Sequence, residues 1–131
     1  MFTLDDFAQL QFLEGRWRGH SADGKEFYEQ YDRPEAGLFR SRRFPTDAFD
    51  EHSDGSTISF HDGEVRSTWG AFTWRASNIG KDFAAFEPVK APTHFIWRRV
   101  DPSTLEAEQR WQAEGKERQH TIRMTRVTHI D

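Results

Sequence analysis

A long series of short β-rich runs constrains what this chain can fold into. After Gly15 the runs are rich in Phe, Trp, Thr, Ile and Val, and turn-forming residues interrupt them at short intervals. This pattern is typical of antiparallel all-β proteins. It predicts about ten strands, near 15–21, 25–32, 37–44, 55–61, 64–70, 72–77, 82–88, 94–100, 104–112 and 117–128. Ten antiparallel strands in sequence favour a closed up-and-down barrel. The weakly patterned connection at 45–53 is a candidate cover for one barrel mouth.

The N-terminal segment predicts one short helix that leads into the first strand. Thr3 precedes two acidic residues, as at a helix start, and apolar residues recur at helical spacing from Leu4 onward. The helix is expected to end at Gly15, which opens the element Gly15-Arg16-Trp17-Arg18-Gly19. Its glycines permit close approach and sharp bending of the backbone, and Trp17 can plug the narrow end of a barrel.

Composition limits the class of protein and of site. A chain of 131 residues predicts one domain, over 1–131, with one hydrophobic core. A net charge of -4 and a pI near 5.9 give no electrostatic footprint for a nucleic acid partner. The chain has no cysteine, which excludes disulfides and thiolate metal ligands, and its histidines lack the spacing of a zinc site. We therefore expect no metal centre.

The sequence also predicts where the protein resides. Two acidic residues follow Leu4, where a secretory signal would carry positive charge. No apolar run approaches the roughly 20 residues that a membrane-spanning helix requires. We expect a soluble cytoplasmic protein without a membrane span, and a homodimer formed by pairing of exposed strands stays open.

The alternation of side chains along the second and third strands yields candidate ligand-binding residues. Tyr28 lies on one face of the second strand and Glu29 on the other, so either face places acid beside aromatic rings. On the third strand, Arg40 and Arg42 share a face with apolar neighbours, and a guanidinium directed inward would grip a carboxylate or phosphate in two places. In the alternative, both arginines face solvent and Phe39 faces inward.

Two carboxylates are candidate catalytic groups. If Glu29 and Glu87 are partly buried, they have raised pKa values and act as acid and base. The alternative is a structural Arg-Glu pair, because buried charges need partners in any case. No serine-hydrolase elbow, phosphate-binding loop or dinucleotide fingerprint is present.

The chain resembles a known group of proteins. Five segments of the chain together resemble small bacterial calycin-like (lipocalin-like) barrel domains. They are Phe12-Leu13-Glu14-Gly15-Arg16-Trp17-Arg18-Gly19, Glu26-Phe27-Tyr28-Glu29, Gly37-Leu38-Phe39-Arg40-Ser41-Arg42, Phe86-Glu87-Pro88 and Phe95-Ile96-Trp97-Arg98-Arg99. More distantly, the opening is similar to nitrobindins and fatty-acid-binding proteins. The resemblance implies a ten-stranded barrel with an internal cavity, and it implies no reaction.

Two further residues, Trp17 and His120, gain a role from this resemblance. Trp17 is expected to stack on an arginine of the closing strand, either Arg123 or Arg126. His120 shares an expected inward face with Ile122 and Met124, so a nitrobindin-like barrel would use it to ligate haem iron. Trp97 is a candidate ligand contact, with core packing as the alternative.

Two functions from different classes remain. The first is the binding of a small apolar or anionic molecule, such as a fatty acid or an aromatic acid, inside the barrel. The second is a cofactor-free acid–base enzyme of the isomerase, cyclase or dehydratase type, which needs one or two carboxylates, a tyrosine and a cavity. Glu29 with Tyr28 or Tyr31 and Arg42 would provide such a set. Haem binding is the third possibility.

Overall fold

A closed barrel of ten antiparallel strands forms the body of the protein in the computed structural model, which describes residues 1–20, 24–46, 49 and 55–127. The strands are β1 (Gly15–His20), β2 (Glu26–Glu35), β3 (Leu38–Phe44), β4 (Thr57–His61), β5 (Glu64–Trp69), β6 (Phe72–Ile79), β7 (Phe83–Lys90), β8 (His94–Asp101), β9 (Thr104–Ala113) and β10 (Lys116–Arg126). Each strand pairs with its neighbours in sequence, and β1 also pairs with β10. The predicted all-β, up-and-down barrel is confirmed.

The strand bounds follow the turn chemistry of the sequence. All ten predicted strands are present, and most bounds agree within two residues. The exception is β2, which continues through Pro34 to Glu35. Its register with β3 shifts between Asp32 and Glu35. Such an irregularity accommodates a proline, which has no N–H to donate to a neighbouring strand.

Two short helical segments seal one end of the barrel, which we call the closed end. Helix α1 (Leu4–Ala8) begins at a capping box, in which the Thr3 N–H donates to Asp6 Oδ2 at 2.9 Å and the Asp6 N–H donates to Thr3 Oγ1 at 3.1 Å. A 3₁₀ helix over Gln9–Leu13 follows. The apolar side chains Phe7, Leu10 and Leu13 are fully buried, so the predicted N-terminal helix is present and covers the core.

Trp17 and Arg126 join the first and last strands at the closed end. Trp17 is fully buried, and its Nε1–H donates to the Leu13 carbonyl at 2.8 Å. The Arg126 guanidinium lies 4.3 Å from the centre of the indole ring, whereas Arg123 pairs with Glu106 on the outer face. Of the two arginines predicted to stack on Trp17, the structure therefore selects Arg126.

Gly15 makes room for this stacking. Its φ of 122° lies in a region that residues with a side chain rarely adopt, and a Cβ there would lie 2.3 Å from Arg126 Nη1. The Gly-x-Trp-x-Gly element thus begins the barrel wall and leaves space for the arginine that closes it.

The wall is weakest between β3 and β4. Only the pairs Leu38–Ser59, Phe39–Ile58 and Arg40–Thr57 are in register among the described residues. Beyond them the Ser41 N–H donates to the Ser56 carbonyl at 2.7 Å, and the Ser56 N–H donates to Ser41 Oγ at 2.7 Å. Gly55 packs directly on this backbone, because a Cβ there would lie 1.9 Å from the Ser41 carbonyl oxygen. Most of the connection at 45–53, the candidate mouth cover, lies outside the described residues.

Neither helical segment in the described part of the chain is long and apolar enough to cross a membrane.

Candidate functional site

The inner faces of β2 and β3 build one wall of the candidate site. On β2 the inward side chains include Glu29 and Tyr31, both buried. On β3 the inward side chains are Phe39, Ser41 and Arg43. The structure therefore shows the alternative in which Phe39 faces inward, and the expectation that Arg40 and Arg42 face the lumen is wrong.

Arg40 and Arg42 bind a carboxylate on the outer face instead. Arg40 Nη2 lies 2.9 Å and Arg42 Nη2 lies 3.2 Å from Asp32 Oδ2. Asp32 is the direct neighbour of Arg40 across the β2–β3 pairing. The two arginines therefore have a carboxylate partner within the protein and need no ligand. Neither arginine is placed to clamp an anion in the lumen.

Arg43 is the arginine of the lumen, and Glu29 is its partner. The two residues face each other across β2 and β3, and Arg43 Nη2 donates to Glu29 Oε1. The Glu29 side chain is only 10% exposed, whereas that of Arg43 is 43% exposed and its guanidinium lies 4.3 Å from the centre of the Phe27 ring. The carboxylate is thus the buried member of the pair, and the guanidinium is the more exposed one.

A cluster of hydroxyl groups lies deeper in the lumen around Tyr31. Its hydroxyl is in hydrogen-bond contact with those of Ser56 and Ser41, which are themselves 3.0 Å apart. Burial raises the pKa of the Tyr31 hydroxyl well above its ordinary value of 10.0, and the nearby Glu29 carboxylate raises it further. The hydrogen bonds from Ser56 and Ser41 and the charge of Arg43 offset part of that shift. Tyr31 is therefore a neutral hydrogen-bonding group at physiological pH.

These groups border a cavity of about 260 Å³ inside the barrel. Its lining combines the Glu29–Arg43 pair, the hydroxyls of Tyr31, Ser41, Ser56 and Ser67, and apolar side chains from β6, β8, β9 and β10. Among the described lining residues, only Glu29 and Arg43 carry a charge. The volume lies just below the range of about 300–1,000 Å³ that drug-sized ligands occupy, so it suits a molecule of two or three rings.

A chain of aromatic side chains, here called the aromatic row, leads from the surface to this cavity. Successive ring centres are 5.1 to 6.4 Å apart along Trp69, Phe72, Trp74, Phe95, Trp97 and Tyr31. Its outer members are exposed, Trp69 by 48% and Phe72 by 39%, whereas Tyr31 is buried. The row therefore joins the barrel end opposite the helices, which is open among the described residues, to the hydroxyl cluster. Trp97, a candidate ligand contact, lines the cavity.

Two other predicted site residues lie outside the lumen. Tyr28 packs on the outer face with its ring centre 5.8 Å from that of Phe49, and its hydroxyl donates to Glu26 at 2.9 Å. Glu87 is also on the outer face, where it accepts hydrogen bonds from Arg75 at 3.0 and 2.7 Å. Of the two carboxylates predicted as catalytic, only Glu29 borders the cavity.

His120 does not line the cavity, although it lies on the same strand face as Ile122 and Met124. Its Nε2 is buried and has no hydrogen-bond partner within the described residues. A free imidazole nitrogen is what a haem ligand requires. However, a porphyrin is larger than a cavity of about 260 Å³, so a haem does not fit beside His120 in this arrangement.

A larger groove, of about 510 Å³, lies where β7 and β8 diverge beyond the pair Phe86–Phe95. Its polar side chains, including His94 and Arg110, are exposed. A hydrogen bond between a ligand and a solvated polar group adds little binding free energy, because it replaces a hydrogen bond to water. The lumen instead presents buried polar groups to a ligand. The lumen is accordingly the better candidate site.

Sequence reasoning missed Arg43 and the serine hydroxyls. The alternation Phe39-Ser41-Arg43 carries the signal, because an inward Phe39 places the other two in the lumen. Ser67 offers a similar signal, since it follows the buried Val65 by two residues on β5.

Comparison with known proteins assigns no family to the chain. No family model matches the sequence, and no curated protein matches it. Among solved structures the chain is similar to a redesigned β-barrel, with 9% identity and a TM-score of 0.42 over 90% of this chain and 94% of that one. The fold assignment rests on the strand pairing described above.

Proposed function

We propose that the protein is a calycin-like binding protein that holds a small, largely apolar molecule in the barrel lumen. The observation that carries the proposal is the cavity of about 260 Å³, with buried hydroxyls at its inner wall and the aromatic row extending to the surface. Rings on the lining would enclose the apolar body, and the hydroxyls would orient one polar group. The resemblance is to calycin-like domains of uncharacterised function, and it implies an internal cavity without naming its ligand.

The polar end of the ligand is expected near Tyr31. The Tyr31, Ser41 and Ser56 hydroxyls can each donate and accept one or more hydrogen bonds. Because Tyr31 and Ser41 are buried and Ser56 is half-buried, a ligand that pairs with them gains more than it would at an exposed surface. The apolar part of the ligand would then lie among Trp74, Phe95 and Trp97, which line the same cavity.

A fluorescence titration with N-phenyl-1-naphthylamine, an uncharged probe, tests the proposal. The wild-type protein should bind it saturably with a rise in probe emission. The variant Ser67→Phe fills the cavity, and we expect it to weaken binding by at least about tenfold. The matched control is Thr68→Phe, which places the same ring at the adjacent, outward-facing position and should leave binding unchanged. Absence of saturable binding, or equal binding by both variants, would overturn the proposal.

An acid–base enzyme is the second candidate, favoured by the placement of the Glu29 carboxylate and the Tyr31 hydroxyl in one cavity. In that case Glu29→Gln would abolish the turnover of a substrate found by screening and retain binding of the naphthylamine probe. If Glu29→Gln retains turnover, the acid–base role of Glu29 is wrong.

A further inference from the structure

We infer that the Glu29–Arg43 pair makes the lumen selective for an uncharged, hydrogen-bonding aromatic molecule, and that Glu29 excludes the corresponding acid. This inference rests on the proposed binding function and names the class of its ligand. It departs from the initial expectation of an arginine clamp for an anion. The difference lies in which arginine reaches the lumen and in what that arginine already binds.

The charge of Arg43 is neutralised before any ligand arrives. Its Nη2 binds Glu29, and one face of its guanidinium covers the Phe27 ring. An anionic head group would have to displace Glu29 from Arg43 and then remain close to a buried carboxylate. The anionic head group and the Glu29 carboxylate would repel each other, and the displaced carboxylate would lose its partner Arg43. An anion therefore gains little from Arg43.

A cation meets the opposite difficulty. Arg43 lies directly opposite Glu29 on the neighbouring strand, and its side chain is 43% exposed against 10% for Glu29. A positive group that approached the carboxylate would first encounter the guanidinium. The two charges together thus disfavour entry of either sign, because desolvation of the ligand charge is not repaid by a free partner.

An uncharged amide or hydroxyl finds suitable partners. The hydroxyls of Tyr31, Ser41, Ser56 and Ser67 provide both donors and acceptors. Tyr31 stays protonated, so it can donate to a carbonyl oxygen. The cavity of about 260 Å³ and the rings around it suit a fused bicyclic body. A naphthalene that carries one primary amide is therefore a fitting probe.

The test compares 2-naphthamide with 2-naphthoate, which share a skeleton and differ mainly in charge at pH 7. Calorimetric titration of the wild-type protein should show at least about tenfold tighter binding of the amide. In Glu29→Gln, which leaves Arg43 without its carboxylate, the preference should disappear or reverse in favour of the acid. The matched control is Glu26→Gln, which removes a half-exposed carboxylate from the start of the same strand and should keep the wild-type preference.

A second variant keeps the inference testable if Glu29→Gln does not fold. Arg43→Gln leaves the carboxylate alone in the lumen, and it should bind 2-naphthylmethylammonium more tightly than the wild type does. The double variant Glu29→Gln/Arg43→Gln has an uncharged lumen and should regain a preference for the amide.

The outcomes separate the two proposals. If the wild type binds the acid as tightly as the amide, or if Glu29→Gln keeps the wild-type preference, the inference is wrong and the binding function stands. If the wild type binds none of 2-naphthamide, 2-naphthoate and N-phenyl-1-naphthylamine, the binding function itself is wrong.

Discussion

The two ends of the barrel are built in opposite ways. At the closed end, Phe7, Leu10 and Trp17 are fully buried beneath the helical segments. At the open end, Trp69 and Phe72 are 48% and 39% exposed beside a cavity. Aromatic rings thus stabilise the fold at one end and remain available to a ligand at the other. The contrast shows that burial, rather than residue type, distinguishes a core aromatic residue from a candidate contact residue.

The largest difference between the two ends is expected in the free energy of unfolding, when one aromatic ring at each end is replaced by alanine. Phe7 packs with its ring centre 5.0 Å from that of Phe39 and 5.9 Å from that of Phe60. Phe7→Ala should lower the free energy of unfolding by about 3–5 kcal/mol, since it leaves a cavity in the core. Trp69→Ala should lower it by less than about 1 kcal/mol, because the ring is half exposed.

Urea denaturation measures the stability of both variants, and titration with N-phenyl-1-naphthylamine measures their binding. We expect Trp69→Ala to lower the affinity several-fold while it remains folded. Equal losses of stability in the two variants would remove the distinction between the ends.

A smaller effect is expected where the closing strand meets the closed end. Arg126 stacks on Trp17, and its Nη1 donates to the Glu14 carbonyl at 3.0 Å. Arg126→Ala should lower the free energy of unfolding by about 2 kcal/mol, because a cation–π contact and hydrogen bonds from a charged donor are lost. Arg123→Ala is the control on the same strand: its side chain is 64% exposed, so the loss should stay below about 1 kcal/mol. A loss as large for Arg123 as for Arg126 would contradict the assignment of the stacking arginine.

The smallest effect concerns Tyr31, which lies between the two ends. Its pKa is raised in the folded protein, so above pH 10 the unfolded chain releases a proton that the folded protein retains. Stability is therefore fully present below about pH 10 and falls as the pH rises above it, with a slope of up to about 1.4 kcal/mol per pH unit from this group. Tyr31→Phe should remove that slope. Denaturation curves between pH 8 and pH 11 check this, and identical slopes in both proteins would count against the burial of the hydroxyl.

The barrel could be predicted from the sequence because each strand and turn has a local signal. Alternating residues and turn-forming residues are adjacent in the chain, so no long-range information was needed to place β1 to β10. Trp17 at the closed end was predicted for the same reason. Which arginine of the closing strand stacks on it depends on the β1–β10 register, and the sequence left Arg123 and Arg126 open.

The candidate site could be predicted only in part. Of the candidate residues, Glu29 and Trp97 border the cavity, whereas Arg40, Arg42 and Tyr28 do not. Both faces of β3 carry arginine and phenylalanine, so hydrophobicity does not decide which face is inward. The decision comes from β2, where Asp32 binds the outer arginines and Glu29 binds Arg43. Such cross-strand pairing is a property of register, which a single strand does not contain.

The pairing of β1 with β10 has a consequence for self-association. In an open sheet the first and last strands would each present unpaired N–H and C=O groups, which act as templates for a strand of another molecule. Here the two strands pair over Trp17–Arg126, Arg18–Thr125 and Gly19–Met124, whereas Lys116–Arg123 of β10 has no β1 partner among the described residues. The template for strand addition is removed only where the two strands pair. The exposed rings Trp69 and Phe72 form a second surface through which copies of the protein could associate. If the protein binds a ligand as proposed, the two rings at the entrance of the cavity are therefore also rings through which two copies of the protein could adhere.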